Sequence, residues 1–133
     1  MSKEFFKINY ENKKPKNYKK FNIGIIGAGN IVENSHLPIY KKNNLNVKNI
    51  FDINQNKARK LKEKFKIEKY SKSLDEFLND KSLDIVDIAV PAEFNKELFV
   101  KSIINKKNIL IQKPLSNNLK TAEEIKKFIN NHH

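Results

Sequence analysis

The chain has 133 residues, a length at which one domain buries roughly two thirds of its unfolded surface, so a single compact domain is expected. Its 38% hydrophobic content lies above the apolar-poor range of disordered chains, and the absence of cysteine excludes disulfides, thiolate nucleophiles and cysteine metal sites; no metal centre is expected. The net charge of +12 suggests nucleic acid, but Arg59 is the only arginine and the lysines are spread among asparagines along the whole chain, which argues for solvated faces rather than a phosphate-gripping or base-reading surface.

Residues 1–20 hold seven lysines, two glutamates and Pro15 without helical or strand periodicity, and read as a basic arm in which Phe5, Phe6, Ile8 and Tyr10 could dock. The start of the chain lacks the apolar core of a secretion signal, and no run reaches the roughly 20 apolar residues of a membrane span. A cytoplasmic protein with no membrane partner is expected. From Phe21 the pattern alternates short Ile/Val-rich runs with amphipathic segments, which is the signature of a parallel sheet wound with helices. Strands are predicted at 21–26, 47–51, 85–90 and 109–111, with a weaker one near 69–71. Ala58, Leu61 and Phe65 form one helical stripe; Leu119, Ala122, Ile125 and Ile129 form another. Ser73, followed by Glu76, predicts a capping box, and Asn118 predicts the cap of the last helix. Asn43, Asn44, Asn79 and Asn105 stand where helices should end, in the place glycine usually takes. The fold class expected is α/β, a Rossmann-type doubly wound sheet of about five strands over residues 21–133.

The glycines sharpen this. Average usage of about 7% would give roughly nine in a chain of this length, yet there are three, at Gly24, Gly27 and Gly29. In Gly27-Ala28-Gly29-Asn30-Ile31-Val32 the first glycine permits a tight strand-to-helix turn, and the second lets a pyrophosphate approach bare backbone at a helix N-terminus. Val32 occupies the third fingerprint position, usually Gly or Ala, and should widen helix–strand packing. Asp52 follows 20 residues later at the end of the second strand, where a carboxylate accepts from adenosine ribose hydroxyls. That carboxylate repels a 2′-phosphate, and Ile53-Asn54-Gln55 brings no arginine to accommodate one. NAD is therefore expected over NADP, with Lys57 and Arg59 the nearest cations that favour the phosphate.

Taken in order, Ile23-Gly24-Ile25-Ile26-Gly27-Ala28-Gly29-Asn30-Ile31, His36-Leu37-Pro38, Phe51-Asp52, Asp84-Ile85-Val86-Asp87-Ile88-Ala89-Val90-Pro91 and Gln112-Lys113-Pro114-Leu115 resemble the N-terminal domain of the glucose-fructose oxidoreductase and inositol dehydrogenase (Gfo/Idh/MocA) family. The resemblance runs from residue 21 to about 131. It implies hydride transfer between a nicotinamide and a carbinol or carbonyl of a sugar, inositol or sugar nucleotide. It also implies that Gly27, Ala28, Gly29, Asn30 and Ile31 hold the pyrophosphate, that Asp52 holds the ribose, and that Val90 and Pro91 edge the cofactor cleft. Lys113 matches the lysine of the family's Glu-Lys-Pro motif and would be the catalytic residue, its ammonium stabilising charge on the substrate oxygen. Gln112 stands for that motif's glutamate, and Asn95 for a histidine; both are cofactor-site candidates. His36, unpaired in sequence, reads as a packing or cleft-lining residue.

The family couples this domain to a larger second domain carrying most substrate contacts and the acid–base group. The chain reaches His132-His133 directly after its last predicted helix, so that domain is expected to be missing here, and a homo-oligomer is expected of the full-length protein. Three classes of function stay open on the residues: an oxidoreductase represented by its cofactor domain, a free-standing nucleotide-binding or regulatory module, and a basic nucleic-acid binder acting through the arm.

Overall fold

The computed structural model of the protein describes residues 20–131. The expected basic arm therefore lies outside the described residues, apart from Lys20, as do His132 and His133. Five parallel strands form one sheet in the order β3-β2-β1-β4-β5, with β1 at Asn22–Ile26, β2 at Asn46–Phe51, β3 at Lys69–Tyr70, β4 at Ile85–Ile88 and β5 at Asn108–Ile111. Chain order reverses between β1 and β4, so a crevice opens at the carboxyl ends of these two strands.

The side-chain period of two sorts the strands onto two faces. Ile23 and Ile25 of β1 join Ile50, Leu37, Ala58 and Leu61 in one buried cluster, and Ile26 joins Phe77, Leu78, Leu83, Val86, Ile88 and Leu98 in the other. Gly24 belongs to the second face for a packing reason: a Cβ there would lie 2.6 Å from both Leu83 and Phe77. The helices follow suit. α1 (Leu37–Lys42) and α2 (Gln55–Phe65) cover the first face; α3 (Leu74–Leu78) and α4 (Asn95–Ile104) cover the second. α5 (Leu119–Asn130) runs beside α4, and the Lys96 ammonium lies 2.6 Å from Glu124 across that contact. Among the described residues no helix is long and apolar enough to cross a membrane.

Local chemistry explains most boundaries. The Asn54 side chain accepts from Lys57 N–H to start α2, and that of Asn118 accepts from Thr121 N–H to start α5. Ser73 accepts from Glu76 N–H, but Glu76 bonds back to Lys72 N–H rather than to Ser73, one residue short of the reciprocal box. Asn79 and Asn105 end their helices with negative φ, contrary to the expectation that asparagine replaces glycine in left-handed backbone. Asn44 does take positive φ as expected, while Asn43 does not, and Lys66 and Lys106 take it where no asparagine stands. Closing bonds offset the strain at the lysines: Ile67 N–H reaches Lys62 O and Lys107 N–H reaches Ser102 O, each at 3.0 Å. The stripe predicted on α5 is also narrower than its spacing suggests, since Ile125 is fully buried while Leu119 is 75% exposed.

Candidate functional site

β1 delivers the chain to the crevice and the glycine turn bends it away. Gly27 has φ 108°, and a Cβ there would stand 2.4 Å from the Ala89 carbonyl oxygen, so only glycine fits between β1 and the end of β4. Gly27 N–H donates to Phe51 O at 2.7 Å, and Ala89 N–H donates to Ile26 O at 2.9 Å, which ties the turn to both neighbouring strands. Gly29 differs: a Cβ there would meet nothing within 4 Å. The space over Gly29 is open, at the start of a helical segment whose first turn closes from Glu33 N–H to Gly29 O at 3.0 Å. The N–H groups of Asn30, Ile31 and Val32 precede any intrahelical acceptor and face an anion's natural position. A bare glycine beneath these donors fits the pyrophosphate of a dinucleotide.

Asp52, one residue beyond β2, locks this turn. One carboxylate oxygen accepts from Ala28 N–H and the other from Asn54 N–H, both at 2.7 Å. Each oxygen keeps a second lone pair for a hydroxyl donor. Asp52 thus organises the glycine turn as well as standing at the strand end, a structural duty that spacing alone does not reveal. A cavity of about 370 Å³ runs from Ile26, Gly27 and Asp52 to Val90 and Pro91. A second, of about 340 Å³, is lined by Ile31, Ala89, Val90, Pro91, Gln112 and Lys113. Val90 and Pro91 line both, so the two hollows adjoin along the carboxyl edge of the sheet. Lys57 and Lys60 line a separate hollow with Ala28, Gly29 and Asn30.

Lys113 follows β5, and its peptide bond to Pro114 is cis. Asn95 is not brought to the cleft surface. It is 1% exposed, and its amide donates to the carbonyls of Pro114 and Leu115 at 3.1 and 3.2 Å, bracing the loop that carries Lys113. Val32 is wholly buried, and the helix around it opens into a wide π-helical turn, Val32–His36, in which Leu37 N–H reaches back to Val32 O. This turn ends at His36, just before Pro38, which brings no N–H to a helical bond.

His36 turns out to be the centre of a network. Its Nδ1 lies 2.6 Å from Asp87 Oδ2 and its Nε2 lies 2.8 Å from Gln112 Nε2, while the Tyr40 hydroxyl donates to Asp87 Oδ2 at 2.9 Å. Burial, then the adjacent Asp87 charge and hydrogen bond, push the Tyr40 phenol well above its ordinary range. Asp87 and Tyr40 are not among the residues expected of the site. The signal for Asp87 was available: a carboxylate inside an apolar run on a central strand needs a buried partner. Tyr40 stands four residues after His36, on the same helix side. Among the described residues no group of three His, Asp or Glu side chains could hold a metal ion.

A parallel sheet with this strand order, a glycine turn at the reversal point and an acidic residue closing β2 define a nucleotide-binding Rossmann domain. The chain belongs to the oxidoreductase family with an NAD-binding Rossmann fold, whose profile matches residues 21–133; this is the family that its motifs resemble. An uncharacterized protein of Saccharomyces cerevisiae is 35% identical over 112 residues, which cover 80% of this chain and 32% of that protein. A myo-inositol 2-dehydrogenase of Thermotoga maritima is 32% identical over 111 residues, 79% of this chain and 33% of that enzyme. Among solved structures, a 3-ketoreductase from Actinomadura kijaniata in complex with NADP and TDP-benzene has the same fold, with a TM-score of 0.76 at 21% identity, covering 84% of this chain and 34% of that one. The chain thus spans about a third of the length of the relatives it matches.

Proposed function

We propose that this chain is the cofactor-binding domain of an NAD(P)-dependent oxidoreductase acting on a carbinol or carbonyl of a sugar, inositol or sugar-nucleotide-like substrate. The observation that carries this reading is the pair of adjoining hollows along the sheet edge, Gly27 and Asp52 lining one and Lys113 the other. The inositol dehydrogenase and the 3-ketoreductase among the relatives support the substrate class.

A bound nicotinamide supplies the hydride acceptor or donor. The chain's own residues do the rest of the work at this edge. Gly27 and Ala28, their own N–H groups held by Phe51 and Asp52, shape the turn; the open backbone of Gly29 and the N–H groups of Asn30 and Ile31 would hold the pyrophosphate, and Asp52 would accept from the adenosine ribose. Val90 and Pro91 line both hollows, and Asn95 acts from behind, by holding the loop of Lys113. The Lys113 ammonium, in the hollow it shares with Gln112, would stabilise negative charge developing on the substrate oxygen. The charge of Asp52 favours NAD over NADP by repelling a 2′-phosphate, against the opposing pull of Lys57 and Lys60 nearby.

Calorimetric titration with NADH and NADPH, on the protein and on Asp52→Ala, tests this. NADH is expected to bind more tightly than NADPH, and Asp52→Ala to weaken NADH and narrow the difference. Tighter binding of NADPH overturns the cofactor preference alone; binding of neither by the folded protein overturns the reading as a whole.

A further inference from the structure

The network around His36 runs from the interior to the cleft. Asp87 is 0% exposed; it sits on β4 opposite Ile25 of β1, on the face covered by α1. Its Oδ2 receives the Tyr40 hydroxyl and meets His36 Nδ1, while Oδ1 is buried with no hydrogen-bond partner. At the other end Gln112, directly after β5, shares its hollow with Lys113.

Hydrogen-bond chemistry restricts how these groups are protonated. An amide NH₂ donates and cannot accept, so a Gln112 Nε2 facing His36 Nε2 at 2.8 Å requires a bare lone pair on that ring nitrogen. The ring proton is then at Nδ1, donated to Asp87 Oδ2 at 2.6 Å. If the amide were reversed, its oxygen would face Nε2, and with Asp87 a carboxylate the ring would have to carry protons on both nitrogens.

We propose that Asp87 and His36 are positioning residues that hold the Gln112 amide in one of its two orientations. Its NH₂ is committed inward, and its carbonyl oxygen is left to the cleft as an uncharged acceptor beside Lys113. Tyr40 supports this by occupying the same Asp87 oxygen, which keeps the carboxylate an acceptor. The ligand group that such an oxygen takes is an N–H or O–H donor. On the cofactor reading above, from which the ligand's identity comes, this donor is the carboxamide of a nicotinamide or a substrate hydroxyl. Two neutral amides, one in the protein and one in the ligand, would then pair next to a cationic lysine.

Long-range proton–nitrogen correlation spectra at neutral pH read the state of His36 directly. The chain has three histidines, and the signal of His36 is assigned by its loss in His36→Gln. A neutral ring protonated at Nδ1 is expected. In Gln112→Glu the amide donor is gone and a carboxylate faces Nε2, so protons are expected on both ring nitrogens. In Asp87→Asn the side chain that fixes the Nδ1 proton is neutral, and the population with the proton at Nε2 is expected to rise, with NADH affinity falling about tenfold, the scale of one hydrogen bond in a binding site. A native His36 protonated at Nε2 or on both nitrogens overturns the proposal, as does a Gln112→Glu protein whose His36 stays neutral, even if Asp87→Asn fails to fold. Because the spectra need no ligand, failure of NADH to bind any form counts against the cofactor reading alone, whereas a wrong tautomer counts against the positioning network alone.

Discussion

The two ends of the cleft are built from different material. Around Gly27 and Asp52 the groups are mostly backbone: Gly27 N–H on Phe51 O, Ala28 and Asn54 N–H on one carboxylate, Ala89 N–H on Ile26 O. Around Lys113 they are side chains from the π-helical turn, α1, β4 and the end of β5: His36, Tyr40, Asp87 and Gln112. A backbone-built site depends on a few residues with special conformational freedom and tolerates changes in general composition, which suits a chain dominated by lysine, asparagine and isoleucine. A side-chain site depends on each partner's protonation and rotamer, so it is open to tuning and vulnerable to single substitutions.

Substitutions can break this contrast or sharpen it. The largest effect is expected at Gly27→Ala, which places a Cβ against the Ala89 carbonyl in a left-handed backbone. A loss of about 3 kcal/mol in urea denaturation is expected, with cofactor binding lost alongside. Asp52→Ala removes two charge-assisted bonds that hold the turn and should cost about 2 kcal/mol in the same assay, before any effect on ligand. Normal stability in Asp52→Ala would show that the turn holds itself. Gly29→Ala separates fold from ligand, because no protein atom needs that glycine. Stability is expected to stay level or rise by up to about 1 kcal/mol, while calorimetry shows NADH affinity reduced at least about tenfold, the equivalent of 1.4 kcal/mol.

The smallest effect belongs to the side-chain end and is read in alkali. The folded state holds the Tyr40 proton more tightly than the unfolded state. Its contribution to stability is therefore complete below the unfolded phenol's pKa, about 10, and declines as pH rises from there towards the higher folded value. Tyr40→Phe should lower stability by about 1 kcal/mol at neutral pH and flatten the decline between pH of about 10 and 11 in chemical denaturation. An unchanged decline would place the alkaline sensitivity elsewhere.

The same contrast decides what could be read from the residues alone. Gly27, Gly29 and Asp52 lie in one strand–helix–strand unit, so their roles follow from local spacing and from glycine's rarity. β1 and β4 were legible for a similar reason, because each is a short run of Ile and Val buried on both faces, whereas the edge strands β3 and β5 are only partly covered. Asp87 and Gln112 stand 51 and 76 residues from His36, and nothing local marks that they meet. Even Asn95, placed by analogy in the cofactor site, acts from behind the Lys113 loop, which only the packing of α4 against that loop explains. Helix ends were misjudged where lysine takes left-handed backbone, a conformation that composition does not advertise.

The wide turn at Val32–His36 makes chain length itself a property of the site. A five-residue turn holds one residue more than the α-helical repeat accommodates. Because the extra residue is taken up inside the turn, the helix beyond it keeps nearly the phase it would have without that residue, whereas a residue added to regular winding rotates everything after it by about 100°. Straightening the turn at constant length would therefore swing His36 and Tyr40 away from Asp87 while the hydrophobic content of the helix stayed the same. Deleting Asn34 or Ser35 would instead give regular winding that presents the same later side chains to β4, so a one-residue gap is absorbed at this turn and nowhere else along the helix.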